Sequence, residues 1–227
     1  LRIRVAHQED HWNDQSAWMA NLPTAQKAHE KGITIIASPW TPPASMKSNN
    51  DLVGGTLRED AYAEYAEYLN HFAEFMAENG APIYAVSVQN EPDIAVGYES
   101  CDYSPEQMLN FVKHHGHLIT ATKLMAPESF QFRRVMSDPI LSDSLATANT
   151  DMISGHIYGG GNSRYPLAEE KGKELWMTEY LMNLNTGSIS TPWEDFSRAE
   201  KWEETLDMTL SVNKSMKNNW NAYVWWY

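Results

Sequence analysis

Seven short apolar runs alternate along this chain with helix-patterned segments, and that alternation limits its possible folds more than any other feature. The runs cover residues 1–5, 33–40, 82–92, 123–130, 151–159, 174–181 and 221–227. Most are continuous rather than strictly in-out, which is how strands covered on both faces read. Between them, residues 59–79 repeat Tyr62, Tyr65, Leu69, Phe72 and Met76 at spacings of three and four, with Gly80 as a stop. A second helix opens at Ser104, with Pro105 at its first position and Gln107 completing a capping box. A long polar-faced segment spans 195–217, and shorter helices are expected over 25–31, 138–148 and 167–171.

Strands alternating with helices predict a parallel sheet with right-handed crossovers. Strand count alone leaves an open doubly wound sheet and a closed (β/α)₈ barrel both possible. The first run, LRIRV, is followed by AHQED with no glycine, which argues against a nucleotide-binding phosphate loop. In a barrel, chemistry gathers where many different strands end. Here Trp40, Asn90 and Glu91, Glu128, His156 and Tyr158, Glu179, and Trp225 and Trp226 all close their runs. The expected fold is therefore an α/β, TIM-type (β/α)₈ barrel lacking one strand at its amino side. One partial catalytic barrel domain is expected to occupy residues 1–227.

Charge narrows the partners. Seventeen Lys and Arg face 30 Asp and Glu, a formal charge of −13, so the basic footprint of nucleic-acid or anionic-membrane binding is missing. No apolar run approaches the roughly 20 residues of a membrane-spanning helix. The single cysteine, Cys101, excludes an intrachain disulfide and a multi-cysteine zinc site, and it reads as a loop thiol. His114, His115 and His117 fall in the helix opened by Ser104, away from any strand end, and read as a solvated face. No metal or cofactor is expected.

Three carboxylates at strand ends, Glu91, Glu128 and Glu179, share the rim with aromatic residues. Cleaving a glycosidic bond takes one carboxylic acid to protonate the leaving oxygen and one carboxylate to attack or to activate water. It also takes aromatic faces for the sugar ring. The rim supplies both. Glu128 is the carboxylate expected to orient its neighbours, and Trp225 is expected in the core, since adjacent strand residues face opposite ways.

The stretches SPWTPPASMK, PIYAVSVQNEPD, YESC with SPEQMLNFVK, APESFQF, GHIYG, GKELWMTEYL and NAYVWWY resemble, in order, glycoside hydrolase family 30, most closely its bacterial glucuronoxylan endo-β-1,4-xylanases. The resemblance implies a retaining barrel in which residues 1–5 form the second strand, with the first strand and a side β-domain absent from this sequence. It implies Glu91 as acid/base and Glu179 as nucleophile. It also implies that Asn90 binds the sugar 2-hydroxyl, that Tyr158 donates to the nucleophile, and that Trp226 and Trp40 line the cleft. Tyr227 matches a tyrosine that helps recognise a glucuronate substituent, and the loop after the nucleophile, YLMNLNTGSISTPW, departs from the family pattern. The implied substrate is xylan or glucuronoxylan, hydrolysed by a secreted monomer, since such a polymer cannot enter a cell; the alternatives are another activity of the family, of β-1,6-glucanase or β-glucosidase type, or a non-catalytic carbohydrate-binding fragment. A barrel short of one strand is further expected to be destabilised as an isolated piece.

Overall fold

The computed structural model of the protein describes residues 1–181 and 193–226. Its strands are β1 (Arg2–Val5), β2 (Ile36–Pro39), β3 (Ala85–Ser87), β4 (Lys123–Ser129), β5 (Met152–His156), β6 (Glu174–Glu179) and β7 (Ala222–Tyr223). They form one sheet in sequence order, and each neighbouring pair is parallel. The sheet curls without closing. Among the described residues β1 and β7 form no ladder with each other, and a cavity of about 480 Å³ lined by Arg2, Arg4, Trp40 and Trp226 lies beside them. This is the expected barrel with one strand missing.

The period-two alternation of each strand sorts its side chains into two layers. Ile36, Ala85, Met125 and Met152 face inward and pack together with Tyr84, Trp176 and Val224. Ile3, Val5, Ala37, Val86, Val88 and Ala126 face outward into the larger core built with the helices. The helix α3 (Tyr62–Glu78) delivers Tyr65, Leu69, Phe72 and Met76 to that core, all fully buried. Each such side chain contributes about 1.5–3 kcal/mol by leaving water. A smaller core around Ile153, Leu175, Met177 and Trp220 serves the later strands.

Most helices form where the pattern places them. The α1 turn (Ser16–Met19) was not foreseen, and α2 runs Leu22–Glu30, beginning one turn before the expected 25–31. The helix α4 (Pro105–His115) carries the predicted capping box, with the Ser104 hydroxyl accepting from Gln107 N–H and the Gln107 side chain accepting from Ser104 N–H. Replacing Ser104 with alanine should lower stability by about 1 kcal/mol, read as a shifted denaturant midpoint with an unchanged slope. The single helix expected over 138–148 is two, α5 (Arg134–Ser142) and α6 (Ser144–Asn149). Asp143 divides them. Its extended backbone leaves the first helix, its carboxylate caps the second through Leu145 and Ala146 N–H, and Lys113 pairs with it at 2.7 Å. The remaining helices are α7 (Pro166–Glu170) and α8 (Arg198–Lys217), the latter opened by a Ser197–Glu200 capping box.

Three side-chain expectations need correction or refinement. The histidines do not share one solvated helical face: His115 packs against Tyr62 and Phe111, and His117 lies in the 3₁₀ turn Gly116–Leu118 that follows α4. Trp225 is not core. It is 38% exposed, turned outward with its ring against the edge of Tyr180, because its neighbour Trp226 takes the inward direction. Cys101 is a buried thiol, and burial pushes it up to about 12, which leaves it unreactive at neutral pH. No helix among the described residues is long and apolar enough to cross a membrane.

Candidate active site

The carboxyl ends of the strands converge on one cleft. After β3 the chain turns sharply: Asn90 N–H donates to Pro39 O at 2.8 Å and Glu91 N–H to Glu128 O at 3.0 Å. The Gln89 amide braces the same turn by donating to Trp40 O at 2.6 Å. Glu91 adopts φ +46° and Glu128 φ +57°, left-handed conformations that cost a non-glycine residue about 1–3 kcal/mol. Both strained residues are carboxylates at the same strand rim, and this strain aims them inward.

Glu91 and Glu179 face each other there. Both are nearly buried, and one oxygen of each lies within 4.8 Å of the other and of a His156 ring nitrogen. Their surroundings differ. Glu91 Oε1 lies 2.8 Å from His156 Nδ1, and its Oε2 accepts from the Tyr98 hydroxyl at 3.3 Å. Glu179 Oε1 accepts from the Tyr158 hydroxyl at 2.8 Å, and its Oε2 from Arg2 Nη1 at 2.5 Å. Burial, together with the Glu179 and Glu91 charges, pushes the Tyr158 phenol far up, so it acts as a hydrogen-bond donor rather than an anion. The Tyr98 phenol is pushed up to about 12 for the same reasons.

Beneath the pair, Arg2 is the hub. Besides Glu179 it donates from Nη2 to Asn90 Oδ1 at 2.6 Å and from Nε to Ser38 Oγ at 3.1 Å and Glu128 Oε1 at 3.3 Å. Its side chain is 4% exposed, so these charge-assisted bonds operate away from bulk water. Glu128 is wholly buried. Burial alone would raise its carboxyl, but Arg2 and His156 outweigh it and hold it down at about 2. Burial likewise opposes a charge on His156, yet the nearby carboxylates of Glu128, Glu91 and Glu179 bring it up to about 9.

Aromatic rings wall the cleft above. A cavity of about 430 Å³ is lined by Glu91, Glu179, Trp40, Tyr98, Tyr158 and Trp226, with Phe130 and Leu181. The Trp40 and Trp226 rings stand 6.3 Å apart, and Arg2 lies 5.6 Å from the Trp226 ring centre. The Arg4 guanidinium approaches the Trp40 ring at 5.2 Å and pairs with Glu99.

Of the residues named from the sequence, the structure brings Glu91, Glu179, Trp40, Tyr158 and Trp226 to one cavity, with Asn90 joined to Glu179 through Arg2. Tyr227 and the loop 182–192 lie outside the described residues. Sequence reasoning missed Arg2 and Tyr98 and gave His156 no role. The alternation Arg-Ile-Arg-Val in the first run was a usable signal for Arg2, since it puts two cations on one strand face opposite two apolar residues. Donor atoms of Glu91, His156 and Glu179 are close enough to hold a cation. Those same groups are engaged with one another and with Arg2, Tyr98 and Tyr158, so they form an internally compensated network of ion pairs.

Comparison with known proteins matches this geometry to sugar-cleaving barrels. The model of the glycosyl hydrolase family 30 TIM-barrel domain matches residues 6–226. The chain is 39% identical to the glucuronoxylanase XynC of Bacillus subtilis, covering 100% of this chain and 52% of that protein. Among solved structures, a family 30 subfamily 8 xylanase from Clostridium acetobutylicum aligns with a TM-score of 0.89 at 39% identity, over 100% of this chain and 56% of the other. A family 30 endoxylanase from Clostridium papyrosolvens aligns at 0.82 and 41%, over 100% of this chain and 57% of the other. The chain thus spans about half the length of the relatives it matches. With the family model matching nearly end to end and the curled parallel sheet superposing on solved members, this chain belongs to glycosyl hydrolase family 30.

Proposed function

We propose that this chain carries the catalytic centre of a retaining endo-β-1,4-xylanase acting on glucuronoxylan or related xylan. One observation supports the retaining reading above the rest: oxygens of Glu91 and Glu179 lie within 4.8 Å of each other. Retaining glycosidases hold their carboxyl groups about 5–5.5 Å apart, whereas inverting ones need about 6.5–9.5 Å to admit a water.

In the first step a Glu179 oxygen attacks the anomeric carbon while Glu91 passes its proton to the glycosidic oxygen and the C–O bond breaks. Tyr158 and Arg2 each donate a hydrogen bond to the attacking carboxylate and aim it. In the second step Glu91, now a carboxylate, takes a proton from water, whose oxygen displaces Glu179 and restores the starting state. In this reading Asn90, which accepts from Arg2, binds the sugar 2-hydroxyl, and Trp40 and Trp226 offer ring faces to the sugars. A polymeric substrate places the work outside the cell.

Digestion of glucuronoxylan with mass analysis of the products tests the proposal. Xylo-oligosaccharides that retain the β-anomeric configuration on release are expected. One glucuronate per fragment at a fixed distance from the reducing end would identify substituent-directed cutting. Cleavage of β-1,6-glucan in preference to xylan, or release of inverted products, would overturn the reading.

A further inference from the structure

We propose that Glu128 is a positioning residue for the acid/base, acting through His156 to keep a cation against Glu91 throughout the two-step reaction. The proposal rests on the glycosidase reading above and assigns a task to a carboxylate that reading leaves unused. Glu128 is wholly buried, so it cannot touch a sugar. An ionised carboxylate in such a place is costly unless cations and hydrogen bonds compensate it. Its Oε1 accepts from Ser38 Oγ at 2.9 Å and from Arg2 Nε at 3.3 Å, and stands 3.6 Å from His156 Nε2. The opposite ring nitrogen of that imidazole is the one 2.8 Å from Glu91. Glu128 and Glu91 therefore address the two sides of a single ring.

The groups facing His156 come from every wall of the site. They are Glu91 after β3, Glu128 from β4, Glu179 from β6 at 3.9 Å, and Tyr158 edge-on, with Arg2 from β1 joining Glu128 to Glu179. With Glu91 protonated, the cations Arg2 and His156 balance the anions Glu128 and Glu179. When Glu179 becomes an ester it loses its charge, and Glu91, having given its proton away, gains one. The buried cluster stays neutral. Hydrolysis of the ester reverses both changes, and the cluster stays neutral again. A carboxylate that never reacts makes this possible, because without it two cations would face one anion at every stage. The imidazolium would then lose its proton, or Glu91 would be held as a carboxylate before the leaving group needs its proton. Either outcome weakens proton donation and leaves nucleophilic attack in place.

That asymmetry gives the test. Glu128→Gln preserves shape and removes the charge. On xylan, whose leaving group requires protonation, kcat/KM is expected to fall roughly 10- to 100-fold, part of the ~10²–10⁴ that a general acid supplies. On dinitrophenyl β-xylobioside, whose leaving group departs unprotonated, kcat/KM is expected to fall much less, by no more than roughly threefold. The alkaline limb of the xylan pH profile should move to lower pH. In a His156→Gln background, adding Glu128→Gln should cost nothing further on xylan. Equal losses on both substrates, or additive losses in the double variant, would overturn the proposal and leave the xylanase assignment standing. Absence of turnover on both substrates by the unsubstituted enzyme would instead defeat the assignment. If Glu128→Gln does not fold, NMR titration of His156 in the unsubstituted protein decides: an imidazolium persisting to about pH 9 supports the role, and a neutral ring at pH 7 ends it.

Discussion

Glu179→Gln is expected to abolish xylan hydrolysis, lowering kcat by at least roughly 10⁴-fold, because the amide cannot form the glycosyl ester. The substitution keeps the side-chain shape and an acceptor for the Tyr158 hydroxyl, so the cleft should still bind xylo-oligosaccharides. Turnover measured by reducing-sugar release, beside calorimetric titration of a xylo-oligosaccharide, separates the two effects. Loss of both together would mean that the variant has lost its fold. Activity within tenfold of the unsubstituted enzyme would remove Glu179 from the role of nucleophile altogether.

Arg2→Met should be the most damaging single change to site and fold together. The guanidinium makes four of the site's hydrogen bonds, to Ser38, Asn90, Glu128 and Glu179, and is almost wholly buried. Removing it leaves Glu128 and Glu179 as buried anions with one cationic partner between them. Breaking a buried pair in this way costs about 3–5 kcal/mol, since the uncompensated charge remains behind. A denaturant titration should show that loss, and activity on xylan should fall by roughly 10²–10³-fold as the electrostatic cradle of the nucleophile goes. Arg2→Lys separates charge from geometry. A single ammonium keeps the charge but cannot span the forked set of partners, so stability should recover more than activity does. A variant Arg2→Met that melts like the unsubstituted protein would show the hub to be dispensable.

Much of this site could be read from the chain because barrels place chemistry at strand ends, and strand ends are marked by what interrupts an apolar run. Glu91 in Asn-Glu-Pro and Glu179 in Thr-Glu-Tyr stand where the runs stop, and both prove to lie at that rim. Arg2 was harder. It is inside an apparent strand, and a charged residue there reads as solvent-facing unless the curl of the sheet is already known. Glu128 looks like Glu91 in sequence, and its complete burial comes from Ser38, Arg2 and His156, none of which is near it along the chain. The final run illustrates the limit of apolarity as a signal. The run 221–227 was expected as strand, yet the ladder with β6 spans Ala222–Tyr223, with further bonds from Val224 N–H to Met177 O and Trp226 N–H to Tyr180 O. There the extended backbone continues while its outward residue, Trp225, meets solvent.

The reach of Arg2 has a kinetic side. Its partners lie 36, 88, 126 and 177 positions further along the chain, so each bond closes a long loop. Such contacts repay their closure entropy late, after local helices and neighbouring βα units have formed. During refolding, helical signal should therefore return ahead of catalysis, and a half-assembled sheet would expose an acidic rim with no guanidinium to neutralise it.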